Sequence, residues 1–238
     1  MKEKKQHLIG YYHYGVILTY LSVCAAIVGI CFSVGGNKAN MPWVGVICLI
    51  ISGVCDAFDG LVAGTRKNRT REDKMFGGRI DSLSDLLAFG VAPAMVGFGM
   101  NIDRWYFIPA YAFFVLCALI RLAYFDVTEI IRAEDPNCGK RDHYIGMPVT
   151  SVAFGLPVFY LLATLFNPDT VFPSIIMIGG YLTMGILMIS RFKTRKFSPK
   201  GICIAFGILS VILASLIITH VAVFDSEMLD VWQIFKTA

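Results

Sequence analysis

The chain has 238 residues, 56% of them hydrophobic and only 16% charged, with a mean hydropathy of +0.66 and a formal net charge of +4. That balance excludes an ordinary soluble globule and predicts an all-α, polytopic membrane helical bundle with little chain outside the bilayer. No nucleic-acid partner is expected; the lipid bilayer itself is the expected surroundings.

Spanning helices need roughly 17–25 apolar residues, and runs of that kind lie near 13–34, 41–63, 82–101, 105–125, 147–166, 171–190 and 201–221. Residues 1–12 mix lysines with apolar and aromatic residues, which predicts a short interfacial segment. The run from Tyr14 to Val34 is long enough to span, and no small-residue cleavage site follows a short core, so it is not expected to be a cleavable signal. Gly35, Gly36 and Asn37 mark a turn, and Pro42 opens the second span. That span ends in a stretch rich in small residues, Gly53, Ala57, Gly60, Ala63 and Gly64, which suits close helix packing or close approach of a ligand. A strongly basic loop is expected over 64–79, and Pro93 is expected to kink the third span.

The fourth span ends in ALIRLAYFDV. Its Arg121 either snorkels to the interface or faces a cavity as an anion ligand. Residues 126–145 read as a polar loop, with His143 solvated at the interface, and Gly146 and Pro148 shape the entry to the fifth span. The last two spans carry no internal charge and read as packing or dimer surface. An amphipathic tail follows over 222–238. Seven cysteines, Cys24, Cys31, Cys48, Cys55, Cys117, Cys138 and Cys203, form no CxxC pair and are expected to be reduced packing residues. No internal repeat is visible.

The distribution of charge orients the bundle. All but three of the 21 lysines and arginines fall on one side of the predicted spans; Lys38, Arg104 and Lys236 fall on the other. The positive-inside rule puts the N-terminus and the 64–79 segment in the cytoplasm.

Four aspartates stand at that cytoplasmic end, Asp56 and Asp59 on the second span and Asp81 and Asp85 on the third. Spacings of i, i+3 and i, i+4 put each pair on one helix face. Clustered carboxylates in a membrane are costly unless something positive compensates, and divalent cations are the simplest compensation. Two hard cations held by carboxylates suit displacement at phosphorus. Nearby Arg66, Lys67, Arg69 and Arg71 suit an anionic substrate, and Gly60 lets backbone approach a phosphate. The residues alone thus predict a metal-dependent enzyme acting on a phospholipid head group. An ion-coupled transporter is the main alternative of another class, but transporter carboxylates gather at broken helices near the midplane. A non-enzymatic scaffold would leave the four carboxylates unexplained.

The order Asp56, Asp59, Gly60, Ala63, then Gly77, Asp81 and Asp85 resembles the motif of the CDP-alcohol phosphotransferases, D-x2-D-G-x2-A-R followed by G-x3-D-x3-D. The chain departs from it at Gly64, where the family has arginine, and in a longer spacer. Within the family, DSLSDLLAFGVAPA, IRLAYFDV and YIGMPVTSVAF are most similar to bacterial phosphatidylserine synthases. The resemblance implies a six-helix core over 13–190, preceded by the segment 1–12 and followed over 191–238 by an additional span and tail. It implies two Mg²⁺ or Mn²⁺ ions on Asp56, Asp59, Asp81 and Asp85, with Asp85 also the general base. Gly60, Ala63 and Gly77 would line the site for CDP-diacylglycerol, with Thr70 beside them and Arg66 in place of the missing arginine. L-Serine would be the acceptor, its carboxylate on Arg121; glycerol 3-phosphate and an inositol phosphate are the alternatives. A homodimer in the cell's inner membrane, with a cytoplasmic active site, is likewise implied.

Overall fold

The computed structural model describes residues 16–35, 41–64, 70–134, 143–167 and 170–195, together with positions 208, 211, 214 and 215. Among the described residues α-helices run in chain order as α1 Ile17–Val34, α2 Pro42–Gly64, α3 Arg71–Asp85, α4 Ala92–Gly99, α5 Ile108–Glu134, α6 Val152–Thr164 and α7 Phe172–Ile189. A π-helical stretch, Leu86–Val91, joins α3 to α4 without interruption, so the two form one rod. Five of the helical stretches are long and apolar enough to cross a membrane, and α6 is a shorter apolar helix. The protein is a multi-pass, all-α membrane bundle. Its one sheet among the described residues is a two-stranded antiparallel ladder between β1 His143–Ile145 and β2 Lys193–Arg195. The expected seventh span and the tail lie outside the described residues, apart from those four helical positions.

Three expectations are corrected. The third span does not begin at residue 82: helix starts at Arg71, and the expected 64–79 loop shrinks accordingly. Thr70 caps this helix. Its hydroxyl accepts from the Asp73 amide at 3.0 Å while the Asp73 carboxylate accepts from the Thr70 amide at 3.2 Å, a reciprocal box that satisfies two orphan donors. The fourth span does not stop near residue 125, since α5 continues through the first part of the expected 126–145 loop to Glu134. The irregularity in the third rod lies just upstream of Pro93. In the π stretch the Ala92 amide bonds to Leu87 O, one residue further back than in an α-helix, which relieves the crowding a proline ring imposes on the preceding turn.

Small residues and a few aromatic wedges hold the bundle, because helices in lipid associate through close packing and hydrogen bonds rather than a hydrophobic gradient. α1 lies on α2 through a stripe of Thr19, Ser22, Ala26, Gly29 and Ser33. Ser22 and Ser52 each donate to the other's backbone carbonyl, at 3.4 and 3.0 Å. Further along, a methyl added at Gly29 would meet Cys48 Cβ at 2.9 Å and Gly45 Cα at 3.3 Å, so the two backbones touch. In the centre, Tyr181 of α7 is fully enclosed. Its ring meets Tyr111 and Phe114 of α5 edge-on, at 5.1 and 5.2 Å between centroids, and its hydroxyl donates to Pro93 O at 2.6 Å. That bond ties α7 to the third rod. The apolar residues left exposed, such as Leu116, Leu119 and Ile120 of α5, form the lipid-facing side. Cys24 and Cys31 are exposed on α1, whereas Cys48, Cys55 and Cys117 are buried; all five are unbonded thiols.

Candidate active site

The second span and the third rod run antiparallel, and their carboxylates pair across the seam. Asp56 lies at hydrogen-bonding distance of Asp85, and Asp59 at hydrogen-bonding distance of Asp81. One oxygen from each of Asp56, Asp81 and Asp85 falls within 4.8 Å of the other two. Neighbouring carboxyls repel unless a proton or a cation lies between them. The donor set is all oxygen, which matches a hard divalent cation rather than a soft one. The residues present therefore fit such an ion.

Burial is graded across the cluster. Asp59 is buried, while Asp56, Asp81 and Asp85 are half-buried. Asp59 is held from α1, whose Thr19 donates its hydroxyl to Asp59 Oδ2 at 3.1 Å in a buried setting.

The third rod is held on its opposite side by α5. Asp126 Oδ1 accepts from Ser82 Oγ at 2.6 Å and its Oδ2 accepts from Arg79 Nη1 at 2.8 Å. Both partners flank Asp81 in sequence, so Asp126 sets the rotation that turns Asp81 and Asp85 towards α2. The ion pair itself is exposed on the arginine side and contributes little stability; its value is geometric. Asp126→Ala is therefore expected to lower turnover about tenfold, as loss of outer-sphere partners does elsewhere, with Asp126→Asn milder. The charge-swapped pair Arg79→Asp with Asp126→Arg should recover part of the loss. Steady-state turnover of the three variants, alongside their melting temperatures, checks this.

Arg121 does not snorkel. It is buried, and its Nε donates to Met147 O at 3.0 Å. The carbonyl is available because the chain turns at Gly146, whose φ of +76° favours glycine. Gly146 also donates to Phe192 O at 2.7 Å, beside the β1–β2 ladder. A cavity of about 160 Å³ opens here between the middle of α5 and the C-terminal end of α7, lined by Arg121, Tyr124, Ser190 and Arg191 with Ile120, Met188 and Ile189. Two contacts fix the level of Arg121 against the third rod: Ser82 with Asp126, and Gly90, where a methyl would meet Ala118 Cβ at 3.4 Å. Arg121 lies between them, at the level of Asp85 and Leu87.

The other expected site residues are placed less fully. Gly60 and Ala63 lie in the last two turns of α2 and Gly77 in α3, whereas Arg66 lies outside the described residues. Thr70 is exposed and occupied with capping α3. Sequence reasoning missed Thr19, Arg79, Ser82 and Asp126. The stripe of small and hydroxylated residues along α1 is the signal that could have pointed to Thr19.

The family model for CDP-alcohol phosphatidyltransferase matches residues 12–189. The chain is 40% identical to the CDP-diacylglycerol–serine O-phosphatidyltransferase of Saccharomyces cerevisiae over 113 residues, 47% of this chain and 40% of that protein. It therefore spans less than half the length of the yeast relative. It is 30% identical over 188 residues to the protein of the same name from Methanocaldococcus jannaschii, covering 79% of this chain and 81% of that one. The archaetidylserine synthase of Methanothermobacter thermautotrophicus is 28% identical over 186 residues, 78% of this chain and 70% of that protein.

Proposed function

This chain belongs to the CDP-alcohol phosphatidyltransferase family, and from that membership we propose that it transfers the phosphatidyl group of CDP-diacylglycerol to L-serine and releases CMP. The observation that carries the reading is the convergence of Asp56, Asp81 and Asp85 across the seam between two membrane helices. Relatives named for serine transfer support the choice of acceptor.

In this reading Asp56, Asp59, Asp81 and Asp85 would hold two Mg²⁺ or Mn²⁺ ions. Bound there, the ions neutralise the diphosphate and stabilise the departing phosphate oxygen. Asp85 takes the proton from the serine hydroxyl. The serine oxygen then forms a bond to the phosphorus that carries diacylglycerol, and the bond from that phosphorus to the CMP oxygen breaks, so CMP leaves with the electron pair. Gly60, Ala63 and Gly77 line the cytidine diphosphate, with Arg66 and Thr70 nearby. Positioning and electrostatic stabilisation carry the rate in such transfers. Arg121 receives the serine carboxylate; the cavity beside it supports this role. The excess of lysine and arginine in the loops beside the site supports a position at the inner leaflet of the cell membrane. Residues 13–190 form the catalytic core, 191–238 add a span and tail, and two protomers associate, as the family resemblance implies.

Arg191 is a second cation at the cavity, which makes phosphate-bearing acceptors the competing reading. Purified protein in mixed micelles with CDP-diacylglycerol and Mn²⁺ is expected to release CMP with L-serine and far less with glycerol 3-phosphate or an inositol phosphate. Arg121→Gln should raise the KM for serine about tenfold or more while leaving that for CDP-diacylglycerol within about threefold, as loss of one charge-assisted contact to a single substrate requires. Faster CMP release with either phosphorylated acceptor would overturn the serine reading.

A further inference from the structure

We propose that Thr19 is a positioning residue for the cation site, so that α1 is part of the catalytic apparatus and not only a packing helix. The inference rests on the reading that the aspartate cluster binds a divalent ion. Four observations support it. Thr19 and Asp59 are both buried, and the hydroxyl donates to Asp59 Oδ2 at 3.1 Å. Asp59 also lies at hydrogen-bonding distance of Asp81, so fixing the Asp59 carboxyl fixes what faces the triad. The Thr19 hydroxyl belongs to a helix whose register is locked independently, by the reciprocal Ser22–Ser52 bonds one turn further along. Thr19 is also on the buried face of α1, so its hydroxyl is withdrawn from water and its bond to a carboxylate is correspondingly strong.

A carboxylate with one oxygen held by a buried hydroxyl presents the other in a fixed direction. Without that bond Asp59 rotates, and the ion loses a preset ligand. Partners of this kind raise metal affinity about 10–100-fold. Asparagine or glutamine could not replace the threonine here without a larger volume in a tightly packed seam. Serine could, because it keeps the hydroxyl and loses only a methyl.

The test is Mn²⁺ titration of the purified full chain in detergent, read as the shift in melting temperature and by the paramagnetic signal of free Mn²⁺, with no substrate present. Thr19→Val is expected to weaken Mn²⁺ binding about tenfold or more, and Thr19→Ser to remain within about threefold of the parent. Ser22→Ala, which removes one of the two reciprocal docking bonds and leaves the other in place, should lower the metal-free melting temperature and weaken Mn²⁺ affinity by less than threefold. If Thr19→Val does not fold, Thr19→Ala, which adds no bulk, takes its place. Mn²⁺ affinity within twofold of the parent in either hydroxyl-free variant overturns the proposal, as does Thr19→Ser behaving like Thr19→Val. A parent that shows no Mn²⁺ binding overturns both this inference and the cation reading beneath it; a parent that binds with unaffected variants overturns this one alone.

Discussion

Asp85→Asn is expected to lower turnover by about 10²–10⁴-fold, the range that general acid–base catalysis contributes, without loss of folded protein. The amide keeps the shape of the carboxylate and still pairs with Asp56 across the seam. It cannot take a proton from an attacking hydroxyl, and it is a weaker ligand for a hard cation. The effect should fall on kcat more than on the KM for CDP-diacylglycerol, because the interaction removed matters most in the transition state. Stability should move the other way. Asp56 and Asp85 lie at hydrogen-bonding distance, where both cannot be ionised without repulsion, and an amide keeps that contact with no need of a shared proton or a cation in the metal-free protein. The metal-free melting temperature of the variant is therefore expected to equal or exceed that of the parent, the usual exchange of stability for activity at a functional site. CMP release and thermal melting on the same preparations check both parts. Turnover within tenfold of the parent would remove Asp85 from the role of base.

That prediction concerns residues legible without coordinates. Asp56, Asp59, Asp81 and Asp85 sit at helical spacings next to apolar runs, and a carboxylate there has few explanations. Hydropathy likewise suffices to find the spans, because lipid forces each one to satisfy its backbone internally. Other features escape for definite physical reasons. The start of α3 is hidden by composition: a dense run of charges reads as loop, although Thr70 and Asp73 at i, i+3 already form a capping box. The extension of α5 is hidden in the same way, since Asp126, Glu129 and Arg132 lie in a helix that runs on to Glu134. Arg121 stays open between two readings in the sequence, because snorkelling is the default for an arginine near a span end. The carbonyl that draws it inward belongs to Met147, which follows a left-handed glycine in a different segment. Thr19 is the hardest to foresee: its partner is 40 positions away in sequence, and a hydroxyl among apolar residues reads as packing.

The packing of α1 and the chemistry of the site are linked, and Gly45→Leu tests the link. α1 and α2 meet most closely where Gly45 faces Ser33 and Gly29. A methyl added at Gly45 would run into Ser33 Oγ, approach Val96 Cγ2 to 2.6 Å and lie 3.2 Å from Gly29 O. Neither neighbour can give way easily. Ser33 is fully buried and donates to Gly29 O at 2.7 Å, and the Gly29 oxygen is backbone. A leucine must therefore push the helices apart, an overpacking that costs about 1–3 kcal/mol and lowers the melting temperature by roughly 2–12 °C for a chain of this size. The displacement does not stop at the crossing. Thr19 lies on the same rigid helix, about 15 Å along its axis at 1.5 Å per residue, and a 3.1 Å hydrogen bond does not survive an outward shift of about an ångström. Gly45→Leu is thus expected to weaken Mn²⁺ binding as well as stability, whereas Gly45→Ala should do less of both. Thr19→Val should weaken binding too, with a fall in metal-free melting limited to the loss of one buried hydrogen bond. Melting curves with and without Mn²⁺ separate the two patterns. A Gly45→Leu protein that is destabilised yet binds Mn²⁺ like the parent would show that the position of α1 does not reach the aspartates.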